Sequence, residues 1–205
     1  MSAFLGPIHF WLYNKIQTQQ TIVDEILKLS EQVNPGLKEK LDHSYGESET
    51  RPLEEVIDQG NIHGWLQEHV SQVEYKLAYS ITSLLKENPA LIEEFKVIFE
   101  KVGKEKAADL DIISAEKIYK GISDSLLDGM PCDHANTVLE QSEDKVIWKR
   151  NNCVHKSYWE EVEGDVSNYY LLREEFVKGF LIETPFVYEK IDEVTNTILR
   201  SEANE

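Results

Sequence analysis

The chain has 205 residues, 41% of them hydrophobic and 10% aromatic, which suffices for one substantial core or for a core with a small appended unit. It carries 38 acidic and 21 basic residues, for a formal net charge of −17, with no basic stripe. Because this charge repels phosphate backbones and anionic lipid headgroups, we expect neither nucleic acid nor a membrane as a partner.

The N-terminal stretch and the cysteine content bear on location. The apolar segment from Met1 to Trp11 has no basic residues before it and is broken by Gly6 and Pro7, so it does not resemble a secretory signal. Nowhere does the chain approach the roughly 18 consecutive apolar residues that a membrane span needs. Two cysteines are too few for a disulfide framework. We therefore expect a cytoplasmic protein with both thiols reduced.

Hydrophobic residues recur at helical spacing over most of the first 130 residues. Proline, glycine and asparagine at the breaks in this pattern mark where one helix ends and the next begins. The pattern predicts helices over 8–30, 52–59, 61–86, 89–102 and 114–127. Between the first two, residues 38–51 are polar and charged, and we interpret them as a long surface connection.

The pattern changes after Pro131. Two short β-prone runs, 137–141 and 145–150, flank the turn sequence Ser-Glu-Asp and predict a β-hairpin. A further helix is predicted over 166–182. The last segment, 186–200, fits either a pair of strands over 187–191 and 197–200, which its Val-Thr-Asn-Thr core favours, or a final helix.

These elements predict a mainly α protein with a small α+β unit at its C-terminal end. The helical bundle occupies residues 1–130, and the smaller unit, with the hairpin and one helix, occupies 131–205. We expect the smaller unit to pack on the bundle, so that the whole chain forms one compact domain.

Two of the predicted helices begin with the same signature. Gly-Pro-Ile-His-Phe-Trp-Leu at residues 6–12 matches Gly-Asn-Ile-His-Gly-Trp-Leu at residues 60–66, identical at Gly, Ile, His, Trp and Leu. The chain has only 6 histidines and 4 tryptophans, so a match at both residue types is informative. We interpret the repeat as the duplication of a helix–loop unit.

The signature residues that carry chemistry lie beside the apolar helix faces. On helical wheels His9 and His63 lie at one edge of the face and Trp11 and Trp65 at the other, with Glu74 on the histidine side three turns further along. If the two helices run parallel, these residues line a pocket for a small apolar or aromatic ligand, with Glu74 as an acid or base. If the helices run antiparallel, the histidines lie at opposite ends and are ordinary boundary residues. The sequence leaves the direction open.

Two Cys-x-His pairs flank the predicted hairpin. Their members are Cys132, His134, Cys153 and His155. If Leu139 pairs with Trp148, the register places each cysteine opposite the histidine of the other pair, with all four side chains on one side. Such a set suits tetrahedral Zn²⁺, and iron is the other candidate. A slip of one residue would separate the pairs, leaving two buried thiols and two surface histidines, or partial ligation.

These features leave three functions open. The first is a metal-binding protein that holds zinc or iron at the Cys-x-His pairs. The second is a small-molecule-binding bundle or metal-independent enzyme with an aromatic pocket between the signature helices. The third is a structural or interaction module, compatible with a homodimer, that associates through an apolar helix face. No phosphate-binding loop, nucleophile elbow or His-Glu-x-x-His motif in the sequence decides between them.

Overall fold

The structure is a computed structural model that describes residues 4–108, 110 and 114–201, and for Cys132 it describes the backbone alone. Within these residues the chain is mainly α-helical and has one four-stranded antiparallel sheet toward the C-terminus. The predicted fold class, mainly α with a small α+β part that contains a β-hairpin, is therefore confirmed.

The described elements follow one another in an order close to the predicted one. They are α1 (Pro7–Ser30), α2 (Leu37–Tyr45), α3 (Leu53–Val56), α4 (Ile62–Glu87), α5 (Leu91–Ala107), α6 (Ala115–Ser125), a 3₁₀ turn (Pro131–Asp133), β1 (Asn136–Gln141), β2 (Lys145–Arg150), α7 (Lys156–Glu161), α8 (Ser167–Leu181), β3 (Phe186–Lys190) and β4 (Thr195–Arg200). The C-terminal segment forms the strand pair rather than a final helix.

Contacts between residues group the chain into two compact units. One comprises the residues up to Phe95 together with His155–Tyr169, and the other comprises Lys96–Val154 together with the residues from Tyr170 onward. The boundary predicted at residue 130 and the packing of the predicted bundle and C-terminal unit into one domain stay predictions.

In the first unit, α1 and α4 pack side by side and run in the same direction. His9 at the start of α1 meets His63 at the start of α4, and Asn34, just beyond α1, donates to Glu87 at the end of α4 at 2.7 Å. The buried residues of α1 include apolar ones such as Ile16, Val23 and Ile26 and polar ones such as His9 and Gln20, whereas Ile8 is exposed. Polar side chains as well as apolar ones therefore occupy the buried face of α1.

The predicted surface connection over 38–51 contains a helix, α2, so the prediction was wrong there. Leu37 and Leu41 are four residues apart and are 1% and 0% exposed, which anchors α2 among charged neighbours. Asp42 on α2 also accepts a hydrogen bond from the buried Lys76 of α4 at 2.8 Å. A pair of leucines one turn apart was the signal for this helix.

In the second unit, the sheet has the strand order β1-β2-β4-β3 with α6 packed on the two central strands. The hairpin of β1 and β2 forms, and next to its turn it has the predicted register, with Glu140 opposite Ile147 and Gln141 opposite Val146. Toward its base the register is not the predicted one, because Val138 rather than Leu139 lies opposite Trp148. A β-bulge at Leu139 shifts the pairing by one residue between Val138 and Glu140. The bulge leaves Leu139 57% exposed, while Trp148 is buried.

Helices α5 and α8 approach each other closely in the second unit. A Cβ atom placed on Gly103 would lie 2.1 Å from the carbonyl oxygen of Phe176, and one on Gly179 would lie 2.1 Å from the carbonyl oxygen of Glu100. Two glycines, one on each helix, therefore permit backbone-to-backbone contact that no other residue allows.

Candidate functional site

The two signature helices begin side by side, so their histidines meet. His9 Nε2 lies 3.4 Å from His63 Nε2, and the two rings are arranged edge to face with their centroids 5.4 Å apart. His9 is buried, at 6% exposure, whereas His63 is exposed. The parallel direction of α1 and α4 thus brings together the histidines whose relation the sequence left open.

Local backbone contacts determine which nitrogen of His9 carries the proton. The Gly6 N–H donates to His9 Nδ1 at 2.9 Å, while the His9 N–H donates to the Gly6 carbonyl oxygen at 3.0 Å. A neutral imidazole has one donor and one acceptor nitrogen, so His9 carries its proton on Nε2 and donates it to His63 Nε2. His9 therefore closes the first turn of α1 and presents an N–H group to His63, not the lone pair that a metal ion would need.

The two signature tryptophans each pack against a side chain of their own helix. The Lys15 Nζ lies 3.7 Å from the centroid of the Trp11 ring, and the His69 ring stacks on Trp65 at 3.6 Å. Trp65 also lies 6.0 Å from the Tyr13 ring across the helix pair. Both tryptophans are half-buried.

Glu74 lies away from this end of the unit, eleven residues beyond His63 and therefore about 16 Å further along α4. Its two carboxylate oxygens are each 3.0 Å from His155 Nδ1, and both side chains are only 2% exposed. The Tyr169 ring packs 3.8 Å from the His155 ring. The structure thus brings Glu74 to His155, and not to His9 and His63 as the pocket hypothesis needs. The pair fastens the start of α7 to α4.

The remaining Cys-x-His residues lie in the second unit. His134, just after the 3₁₀ turn, is exposed, and its backbone has the left-handed conformation, with φ of 48°. Cys153 is half-buried. Burial raises the pKa of Tyr170, and a hydrogen bond between Tyr170 and Cys153 is the second largest cause of this increase. Below the bulge, Asn136 lies opposite Arg150. If this pairing is continued past the end of β1, His134 falls opposite Asn152 rather than Cys153. The side chain of Cys132 lies outside the described structure.

The described side chains include no group of three or more His, Cys, Asp or Glu residues that could hold a metal ion. His155 belongs to the first unit and uses Nδ1 on Glu74, whereas Cys153 and His134 belong to the second. The four-ligand arrangement stays a prediction, and the register proposed for it does not hold at the base of the hairpin.

A cluster of four tyrosines in the first unit was not anticipated from the sequence. Tyr45 stacks on Tyr75 at 5.2 Å, Tyr158 meets Tyr75 edge to face at 4.8 Å, and Tyr79 lies 6.2 Å from Tyr45. The Tyr75 hydroxyl donates to Glu161, and this hydrogen bond raises the pKa of Tyr75 to about 12. The cluster joins α2 and α7 to α4, which is a structural role.

An uncharged apolar surface at the helix starts was also missed. We define the signature end as Phe4, Ile8, Phe10, His63 and Trp65. Phe4 is 81% exposed, Ile8 46% and Phe10 39%, whereas the other five phenylalanines of the chain are buried. The stretches 4–14 and 60–67 contain no Asp, Glu, Lys or Arg. This lack of charge, in a chain with 38 acidic residues, was the signal in the sequence.

No protein-family model, no curated protein and no solved structure matches this chain. Across the residues that the structure describes, no helix combines the length and the apolar composition that crossing a bilayer requires.

Proposed function

We propose that this protein is an interaction module that forms a homodimer through the signature end. The observation that carries the proposal is the exposure of Phe4, Ile8 and Phe10 in a stretch of chain, residues 4–14, that has no charged side chain. Large exposed apolar side chains at the start of a helix favour a protein contact, and the cores of protein interfaces are enriched in aromatic residues and depleted of charged ones.

The net charge supports a second copy of the chain as the partner. Two molecules of charge −17 repel each other wherever their acidic surfaces meet, so self-association requires a region without charge. The signature end is such a region, because two uncharged stretches that are far apart in the sequence begin adjacent helices. A strongly basic partner would instead be attracted to the acidic remainder of the surface.

Phe10→Glu tests the proposal by placing a carboxylate in the contact. We expect the dimer dissociation constant to rise at least about 30-fold, since burying an unpaired charge and losing an aromatic anchor together cost on the order of 2 kcal/mol or more. Sedimentation velocity over a concentration series measures the dissociation constant. Val33→Glu is the matched control, because Val33 is 38% exposed beyond the opposite end of α1 and gains the same charge.

Two outcomes would overturn the homodimer. One is a wild-type protein that stays monomeric at concentrations up to several hundred micromolar. The other is equal weakening by Phe10→Glu and Val33→Glu, which would indicate general charge repulsion. Native mass spectrometry of the same samples addresses the pocket hypothesis, because a small apolar molecule bound to a monomer would favour a ligand-binding bundle over the dimer.

Metal binding at the base of the hairpin is the second candidate function, with Cys132, His134 and Cys153 as ligands of zinc or iron. Its support is that the backbone N–H groups of Asn151 and Asn152 both donate to the Ala135 carbonyl oxygen, at 2.8 and 3.3 Å, so the two Cys-x-His segments adjoin. Thiolate and imidazole are the ligands that Zn²⁺ prefers. This candidate requires reduced thiols, in keeping with the cytoplasmic location that we infer from the cysteine content.

Elemental analysis of protein purified without chelators tests the metal candidate. We expect about one zinc or iron per chain in the wild type and a loss of at least tenfold in Cys132→Ser/Cys153→Ser, because the serine hydroxyl is a far poorer ligand than a thiolate. His43→Ala, on the exposed face of α2, should keep the metal. A metal-free wild type would eliminate this candidate without affecting the homodimer.

A further inference from the structure

We propose that protonation of His63 dissociates the dimer at mildly acidic pH. This inference rests on the proposed homodimer and adds its regulation. It concerns the contact between His9 Nε2 and His63 Nε2, at 3.4 Å, on the surface that joins the two copies. Imidazole is the side chain that ordinarily changes charge between pH 5 and 8.

The direction of the hydrogen bond makes the pair sensitive to one proton. The Gly6 N–H donates to His9 Nδ1, so this nitrogen is an acceptor. The single ring N–H of neutral His9 is therefore on Nε2 and points at His63 Nε2. A protonated His63 carries a hydrogen on both nitrogens, so two N–H groups would then face each other. His63 must therefore turn away or separate from His9. The two helix starts then lose the arrangement that forms the signature end.

Protonation also places charge on the uncharged surface. One positive charge per chain would appear in the contact between two identical copies, where like charges repel in a partly desolvated setting. Both α1 and α4 begin at this end, and the positive ends of their helix dipoles disfavour a further positive charge there. Neutral His63 is therefore the form that associates.

Among the residues that the structure describes, other charged or titratable groups lie at this end, and one is Asp58, whose Oδ1 accepts from the Gly60 N–H at 2.8 Å. On α1 these are His9 and Lys15, whose ammonium lies over Trp11, and on α4 they are Glu68, which is exposed, and His69, whose Nδ1 contacts the Trp65 carbonyl oxygen at 2.8 Å. From the chain between the helices, the ion pair of Glu49 and Arg51 lies near Tyr13, one turn below His9. Of these groups, only the histidines ordinarily titrate between pH 7.5 and 5.5.

The sign of the effect separates this mechanism from general electrostatics. Lowering the pH from 7.5 to 5.5 protonates histidines and so reduces the net charge of −17, which weakens the repulsion between copies. General electrostatics therefore predicts a tighter dimer at pH 5.5. Protonation of His63 predicts a weaker one.

The experiment compares the dimer dissociation constant at pH 7.5 and 5.5 by sedimentation velocity. For the wild type we expect it to rise about 10- to 100-fold, because each chain of the dimer excludes one proton and each excluded proton contributes up to tenfold per pH unit. In His63→Gln the ratio of the two constants should be 1 or less, because glutamine does not titrate. His43→Gln, on the exposed face of α2, should keep the wild-type ratio.

The outcomes distinguish failure of the inference from failure of the homodimer. A wild type that is monomeric at pH 7.5 overturns both. A wild-type dimer that persists unchanged at pH 5.5, or a weakened one whose pH ratio survives in His63→Gln, overturns the inference alone. Imidazole ¹⁵N NMR on the wild type supplies a second measurement if His63→Gln does not associate: His63 should gain its proton as the dimer signals disappear, and dissociation without that protonation would overturn the inference.

Discussion

Glu74→Leu is expected to lower the free energy of unfolding by about 3–5 kcal/mol. The variant leaves the His155 imidazole buried, at 1% exposure, without the carboxylate that now accepts its Nδ1–H. Removing one partner from a buried pair costs more than the pair contributes, because the remaining group keeps its desolvation penalty. Urea denaturation followed by circular dichroism and tryptophan fluorescence measures the loss.

Three further variants test the cause of this loss. Glu74→Gln keeps a carbonyl oxygen for the Nδ1–H and should lose only about 1 kcal/mol. Glu74→Leu/His155→Leu removes both polar groups and should recover most of the stability lost in the single variant. Glu68→Leu is the matched control, because Glu68 lies on the exposed face of the same helix and should change stability by less than about 0.5 kcal/mol. Equal losses in Glu74→Leu and Glu68→Leu would contradict the importance of the pair.

Gly179→Ala is expected to destabilise the second unit by roughly 1–3 kcal/mol, although alanine is the better helix former. Helix propensity alone predicts a gain of about 1 kcal/mol. The added Cβ would lie 2.1 Å from the Glu100 carbonyl oxygen, which belongs to a helical backbone and cannot rotate away. Helices α5 and α8 would have to separate and lose their packing, so the steric term outweighs the propensity term.

The same reasoning applies to the opposite glycine of this crossing. Gly103→Ala should cost a similar amount, and Gly103→Ala/Gly179→Ala should cost less than the sum, because one displacement of the helices relieves both clashes. Lys101→Ala provides a control on α5, since Lys101 is 51% exposed and should alter stability by less than about 0.5 kcal/mol. An increase in the midpoint of urea denaturation for Gly179→Ala would show that the close approach is absent.

Local patterns were sufficient for most elements of the fold. The long helices and the hairpin were predictable because apolar spacing and turn residues act over a few positions. The predictions failed where a short-range pattern was weak: two leucines were enough for α2, and the six residues of α7 carry one buried residue, Trp159. The bulge at Leu139 was not predictable, because nearly all of β1 is exposed and no buried face of it specifies the register.

The sequence by itself determined the mainly α class, the two matching helix starts and the absence of charge around them, because each is a property of composition or of neighbouring residues. Only the tertiary structure decided that α1 and α4 run parallel, that His9 meets His63, and that Glu74 bonds His155, 81 residues further along the chain. Such contacts depend on the path of the chain between the two helices. Part of that path is α2, which contacts α1 and α4 and buries Leu41. Helical periodicity specifies which face of a helix is buried but not which element covers it.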